Sequence, residues 1–405
     1  MSRSGTAGRQ GPDIRSDCFV TLELRESGGH EIVVQSRVES MYGASIRQLC
    51  CEVLESLGIR HARLEMEDAG ALPFTLAARI EVAAHRAGVK KRFPPEMKSY
   101  CTYGTQRDRF RRSRLYLPGN EPKFFINAGL HRPDGVILDL EDSVAPSEKD
   151  TARVLVRNAL RQVNFYGAER MVRINQVPAG LDDLDWILSS NVHVILIPKV
   201  EKAEQVCEVD ARIQSLRKAE PIASPVYLMP IIESAMGAIW AYEIAAASEN
   251  NVALALGLED YTADIGTQRT LDGKESFWMR SVVVNAARAA GIQPIDTVFS
   301  DVADMEGLKT SVKEAKALGF DGKGCIHPRQ IAPIHEAFAP DEVEITKAKS
   351  IVLAFEKAQS EGLGVVSLGS KMIDPPVVKR ALKTVELAVS IGRLPANWRE
   401  VEANE

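Results

Sequence analysis

From Arg112 onward, short apolar runs alternate with helical ones eight times, and this alternation limits the fold more than any other feature of the chain. The runs are Ser113–Leu117, Gly135–Leu140, Met171–Ile174, Val192–Ile197, Val226–Ile232, Val252–Leu258, Ile295–Phe299 and Gly324–Ile326. Helical spacing separates them, as in Glu148–Leu160, Ala203–Leu216, Glu275–Ala290 and Met305–Leu318. Short runs without a polar face are what parallel strands covered on both sides look like. Eight β-α units in about 220 residues predict an α/β fold, a closed (β/α)8 barrel. A doubly wound open sheet is the alternative, and it needs a reason to stop at eight.

The stretch Pro225–Asp264 shows where chemistry sits on such a barrel. Its two apolar runs end abruptly in acid, Glu233 after the first and Glu259 with Asp260 after the second. Strand ends of one polarity form the barrel mouth, where active sites are built. Two carboxylates on neighbouring tips can hold a hard divalent cation such as Mg2+ through oxygen. Taken singly, either tip reads equally well as solvated loop acid. The other tips add Glu141 and Asp142, Arg173 and Asn175, Lys199, Asp301 and His327. Ionisable groups at one end of nearly every strand make a polar cup on an apolar barrel, which points to function more than to stability. Lys199 beside a neighbouring acid reads as a structural ion pair.

Before the barrel, residues 1–15 are rich in Gly, Ser and Arg and predict disorder. Asp17–Leu24 and Glu31–Val38 read as a hairpin around a Gly-Gly turn, Gly43–Leu57 as an amphipathic helix, and Ala62–Glu67 as a further strand. Residues 1–87 are therefore predicted as a small α+β domain, and 88–111 as a linker with a Pro-Pro and seven Lys or Arg. The barrel occupies 112–340, and a C-terminal helical extension 341–405. The formal net charge of −5, without a long basic block, gives no support to nucleic-acid binding. No run of about 18 apolar residues predicts a membrane span. Six cysteines without CxxC spacing predict free thiols in a reducing, cytoplasmic compartment.

Several segments carry a resemblance. RRSRLYLPGN, GVILDLEDSVAPSEKDTAR, MVRIN, PIIESAMG, ALGLEDYTADIGTQR, GFDGKGCIHPRQI and GLGVVSLGSKMIDPPVV, spread from Arg111 to Gly392, resemble the citrate lyase beta subunit and the malyl-CoA and citramalyl-CoA lyases of the HpcH/HpaI aldolase family. The N-terminal segments SDCFVTLE, SRVESMYGASIRQLCCEVLESLGI and EDAGALPFTLAARIEVAAHRA resemble the citrate lyase gamma subunit, an acyl carrier. The resemblance implies Mg2+-dependent cleavage of a 3-hydroxy-3-carboxyacyl thioester into a 2-oxo acid and a shorter acyl thioester, or the reverse Claisen condensation. It implies Glu233 and Asp260 as metal ligands, Arg173 on a carboxylate or enolate oxygen, and Glu141 and Asp142 orienting metal-bound water. It further implies Asp374 as a proton-transfer residue acting on a neighbouring subunit of a homotrimer or hexamer; capping its own helix is the alternative role. Arg112 reads either as a contact to the CoA portion or as a surface Arg. In the carrier family a serine near the start bears a CoA-derived group. Here an ungapped alignment puts Arg15 in that place and Ser16 one position away, so attachment at Ser16 and a carrier fold kept only for docking to citrate lyase-type subunits both stay open. His327, Asp301 and Cys325 read as structural. A thioesterase on the same scaffold and a non-catalytic docking component are the competing functions.

Overall fold

The computed structural model describes residues 3–219, 224–362, 366–368 and 371–399. It divides into two compact units, Met1–Ile331 and Ala332–Glu405. The first unit holds a small sheet domain and a barrel. Its sheet is built from β1 (Ser4–Gly8), β2 (Cys18–Leu24), β3 (His30–Ser36) and β4 (Ala62–Asp68), in the order β1-β2-β4-β3. The strand β2 buries Cys18, Val20 and Leu22, and β4 buries Ala62, Leu64 and Met66. This period of two gives one apolar face. Helices α1 (Glu39–Ser56) and α2 (Pro73–Arg86) cover it. Ile46, Cys50, Val53 and Leu54 form the buried face of α1, as the helical spacing predicts.

Two sequence expectations fail in this domain. Residues 1–15 are not disordered as a whole, because Ser4–Gly8 pairs antiparallel with β2. The small residues there serve close approach: a Cβ on Gly5 would lie 2.2 Å from the Ala83 carbonyl oxygen of α2. Nor do β2 and β3 form a hairpin, since β4 lies between them, antiparallel to β2 and parallel to β3. The order follows burial. Of its seven residues β3 buries only Val34 and takes the edge, whereas the apolar face of β4 earns the centre.

The barrel is closed and parallel throughout. Its strands are β5 (Ser113–Pro118), β6 (Gly135–Asp139), β7 (Glu169–Arg173), β8 (Val194–Ile197), β9 (Tyr227–Ile232), β10 (Ala253–Leu256), β11 (Gln293–Asp296) and β12 (Gly322–Cys325), with β12 returning to β5. Ile137, Met171, Leu196, Met229, Ile231, Ala255 and Ile295 fill the interior. Ion pairs close the N-terminal end. Arg111 grips Glu169 through two hydrogen bonds of 2.7 and 2.8 Å, both side chains being fully buried. Arg112 grips Asp134 through two of 2.8 Å. Between the wall and helix Lys274–Ala289, the Asp296 carboxylate takes Lys323 at 2.7 Å and Arg280 at 3.1 Å.

The sheet domain is joined to the barrel at helix Lys149–Gln162, which follows β6. Glu81 of α2, fully buried, accepts hydrogen bonds of 2.9 and 2.5 Å from the Arg157 guanidinium. Asn158 donates to the Phe74 carbonyl at 3.1 Å, and Arg86 pairs with Asp150 at 2.9 Å. The Arg92 guanidinium stacks 3.6 Å from the Trp186 ring centroid.

The second unit packs helix Glu342–Ser360 on helix Pro375–Ser390 through Ile345, Val352, Phe355, Ala381, Val385 and Ala388. Asp341 and Glu344 form a reciprocal capping box at the start of the first helix. Between the helices, β13 (Val366–Leu368) and β14 (Lys371–Ile373) pair antiparallel.

Two stability predictions follow from the ion pairs. Glu81→Ala strands Arg157 without its counter-charge and should lower stability by about 3–5 kcal/mol in chemical unfolding. For Asp296, burial raises the carboxyl pKa, but Lys323 and Arg280 outweigh it and hold the folded value below the ordinary range. A depressed folded value gives stability that is present above the unfolded value, about pH 4, and is lost as pH falls through the folded one. Asp296→Asn should therefore be most destabilising near neutral pH, with the gap to the parent chain closing in acid.

Candidate active site

The strand tips converge as the sequence expects, but the residue that organises them is Asp139, the last residue of β6, only 1% exposed. It accepts from Arg173 Nε and Nη2, both at 2.7 Å, and from the Ser143 hydroxyl at 2.5 Å. Burial alone would raise its pKa; the Arg173 pair and the Ser143 bond hold it below the usual range. Asp139 lies inside the apolar run, two residues before Glu141, and so passes as interior when strand ends are read from hydropathy. The local signal for it is the triplet of acids at 139, 141 and 142 around a single Leu.

Arg173, at the end of β7, thus has a fixed orientation. Its Nη1 also lies 3.0 Å from Glu141 Oε2, at ion-pair distance but without hydrogen-bond geometry. The guanidinium sits 5.3 Å from the Tyr116 ring centroid, a second floor contact that the sequence does not announce. Of the five N–H groups of an arginine, two are taken by Asp139 and a third faces Glu141, which leaves two for a ligand. Burial disfavours the cation, yet the Asp139 carboxylate more than reverses this and keeps Arg173 charged.

Lys199 ties together three acids from the tips of two strands, β6 and β10. Its Nζ lies 3.2 Å from Glu141 Oε1, 3.0 Å from Asp142 Oδ2 and 3.7 Å from Asp260 Oδ1. The residue is in the left-handed region, φ 50°, uncommon outside glycine. The Lys149 ammonium holds the loop below by bonding the Leu140 and Glu141 carbonyls at 2.6 and 2.5 Å. Glu141, expected to orient metal-bound water, is engaged here with Arg173, Lys199 and Gln176, the last at 3.2 Å. Asp142 is half exposed and touches Lys199.

Glu233 follows β9 and is 5% exposed. Its Oε2 accepts from the Lys199 backbone N–H at 3.2 Å. Gly257, after β10, makes room for it: a Cβ there would sit 2.5 Å from Glu233 Oε1. Burial pushes Glu233 up to about 8; Arg173 opposes the rise, and the Asp260 and Glu141 charges add to it. Asp260 stands in the first turn of helix Leu258–Asp264, where the helix N-terminus favours an acid, and is half exposed. Glu259 beside it turns away to Arg269 at 2.6 Å. Among the described residues no three His, Cys, Asp or Glu converge into a cage. A buried carboxylate in the field of two other acids, paired with one at the solvent edge, is nevertheless a donor set that fits Mg2+, which keeps several waters and takes one or two carboxylates.

The remaining predicted residues make other contacts. Arg112 is at the N-terminal end of β5, opposite the mouth, with its fork on Asp134, so the expected contact to substrate has no geometric basis. Ser16 is in the sheet domain with φ 58°, its N–H on the Ala69 carbonyl at 3.1 Å, next to Asp17 in a buried pair with Arg79. Asp374 caps helix Pro375–Ser390, accepting from the Val377 N–H at 3.2 Å. Asp301 and His327 bond neighbouring backbone N–H groups, as structural residues do.

The barrel and the N-terminal domain each match a known protein family. Residues 112–328 match the model of the HpcH/HpaI aldolase/citrate lyase family, and residues 10–87 that of the malonate decarboxylase delta subunit, an acyl carrier protein. The citrate lyase subunit beta of Leuconostoc mesenteroides subsp. cremoris is 41% identical over 285 residues, which cover 69% of this chain and 94% of that one. The mitochondrial citramalyl-CoA lyase of Homo sapiens is 34% identical over 296 residues, 69% of this chain and 86% of the other. A crystal structure of CitE from Mycobacterium tuberculosis with magnesium, acetoacetate and coenzyme A superposes with a TM-score of 0.56 at 32% identity, over 70% of this chain and 99% of that chain. With a family match across the whole barrel and relatives covered almost end to end, the chain belongs to the HpcH/HpaI aldolase/citrate lyase family.

Proposed function

We propose that the mouth is the active site of a Mg2+-dependent carbon–carbon lyase. Its substrate is a 3-hydroxy-3-carboxyacyl-CoA, of the malyl, citramalyl or citryl type, which it cleaves to a 2-oxo acid and an acyl thioester or forms by the reverse Claisen condensation. The observation that carries this reading is Glu233, a buried carboxylate that Gly257 leaves space for and that Asp260 faces from the solvent edge. Glu233 and Asp260 would hold the metal, and bound there Mg2+ would chelate hydroxyl and carboxylate oxygens and stabilise the alkoxide.

The chain's own residues supply the rest. Arg173, fixed by Asp139, offers its two remaining N–H groups to a carboxylate or developing oxyanion without reorganising. Lys199 and Glu141 complete a charge network that keeps those donors in place. Asp374 is assigned the proton transfer to the thioester carbon, on a neighbouring copy of the chain. Its bond to the Val377 N–H and the Pro pair behind it orient the carboxylate. A homotrimer or hexamer would provide that copy. Supporting self-association, the barrel exposes Ile239, Trp240 and Tyr242 beside Phe277 and Trp278 on two helical segments packed together. Among the described residues no helix is long and apolar enough to cross a membrane. A cytoplasmic setting fits six free cysteines.

Turnover of a panel of CoA thioesters with Mg2+, read as 2-oxo acid released, tests the reaction; release of the uncleaved hydroxy diacid would replace it with thioester hydrolysis. Glu233→Gln should lower the rate at least about 100-fold, since it removes a charged ligand oxygen. Gly257→Ala, which pushes a methyl into the Glu233 carboxylate at an ordinary φ of −121°, should weaken Mg2+ binding in calorimetry while leaving the circular dichroism unchanged. Full activity in Glu233→Gln, or in excess chelator, would remove the metal from the reading. Sharing of Asp374 is checked by mixing: Asp374→Asn and Glu233→Gln chains, each inactive alone, should recover activity when co-expressed. Mixed oligomers confirmed by mass that stay inactive would place Asp374 outside the neighbour's site.

A further inference from the structure

The carrier-like domain is built into the lyase body. Every residue of α2 from Phe74 to Ala84 is buried, so this helix has no solvent face. A helix covered all round is sandwiched between two partners. One partner is its own sheet. The other is barrel helix Lys149–Gln162, in which Thr151, Ala152 and every residue from Val154 to Leu160 are likewise buried. An outer barrel helix ordinarily shows one side to water; here that side is under α2.

The seam is polar as well as apolar. Glu81 is 0% exposed and bonds Arg157 through both oxygens, and Arg157 also donates to the Phe93 carbonyl at 2.8 Å. Parting the two surfaces would expose α2 along its length and pull apart a buried ion pair held by further bonds to Asn158. Toward the mouth end, Arg79 holds Asp17, the neighbour of Ser16, through bonds of 2.8 and 2.7 Å, and reaches the Asn120 carbonyl in the loop after β5 at 3.5 Å. Arg9 pairs with Glu121 in that same loop. The segment around Ser16 is thereby attached to the first βα loop of the barrel.

We infer that the N-terminal domain is a permanent wall of the lyase that supports helix Lys149–Gln162 and the first mouth loop, and that it does not swing as a carrier. A domain that ferries a thioester between two sites has to leave the first one, and this seam does not open. The thioester therefore reaches the mouth from solution as a free CoA ester. The second half rests on the lyase reading; the first half does not.

Two measurements on the full chain separate them. Arg86→Cys and Asp150→Cys, placed in a Cys51→Ser, Cys207→Ser background, bracket the seam at a half-exposed ion pair and can be joined by a bismaleimide with a reductant-cleavable spacer. The joined chain should turn over free CoA thioesters within about twofold of the unjoined one. A loss of tenfold or more that returns on cleaving the spacer would show that the domain must move, and would overturn the inference. Hydrogen exchange gives a readout that needs no activity. Amides of 74–84 and 152–160 should exchange only together with those of β6 and β7. Their release in a separate step that leaves the barrel strands protected would show an opening seam and overturn the fixed wall. If the unjoined chain turns over no CoA thioester, the lyase reading fails, and the exchange result still decides whether the domain is fixed.

Discussion

The pairing of Asp139 with Arg173 is the contact on which the mouth depends. It joins the ends of β6 and β7 by two short bonds in a nearly dry setting. Low dielectric makes such a pair strong and also makes either partner costly to leave alone. Because Asp139 anchors Arg173, Glu141 can approach the same guanidinium from the loop, and Lys199 can bridge Glu141 to Asp142 and Asp260. One buried pair thus fixes a cation, three acids and the loops that carry them. The site is pre-set in charge and direction before any ligand arrives, which is the condition for electrostatic catalysis.

The same logic of paired buried charge recurs through the first unit. Arg111 with Glu169 closes the barrel floor, Asp296 with Lys323 and Arg280 joins wall to helix, and Glu81 with Arg157 joins the sheet domain to the barrel. Each is nearly unexposed, so each serves registry, since only one docking geometry satisfies both ends. Glu233 is the exception: its carboxylate has a backbone N–H and space, and no bonded cation among the described residues. That sets Glu233 apart from the structural acids, each of which is matched to a buried cation.

The accompanying domain pairs a carrier-like fold with a buried seam. Its sheet and helices match an acyl carrier model over residues 10–87. Yet α2 is buried on all sides, and the bonds from Arg9 and Arg79 lead to the loop after β5. A helix that in a free domain would present a wet face has become the packing layer between two cores.

The barrel and most of its polar cup were legible in hydropathy and spacing, and closure of the sheet came from the structure. Eight apolar runs with no polar face could be satisfied only by strands covered on both sides, and the acids at their ends had to gather at one rim. Glu233, Asp260, Glu141, Arg173 and Lys199 were legible for that reason. Asp139 was not, because hydropathy places it inside a strand and only its pairing with Arg173 makes it compatible with burial. The partner of Arg112 was not legible, because its side chain points to whichever acid the fold supplies, and that acid, Asp134, lies at the barrel's other end. The order of strands in the first domain was likewise beyond local pattern, since β3 and β4 compete for the centre and only total burial decides. The docking of α2 on helix Lys149–Gln162 belongs to tertiary structure alone. Two helices of ordinary composition become fully buried only when both cores exist to bury them.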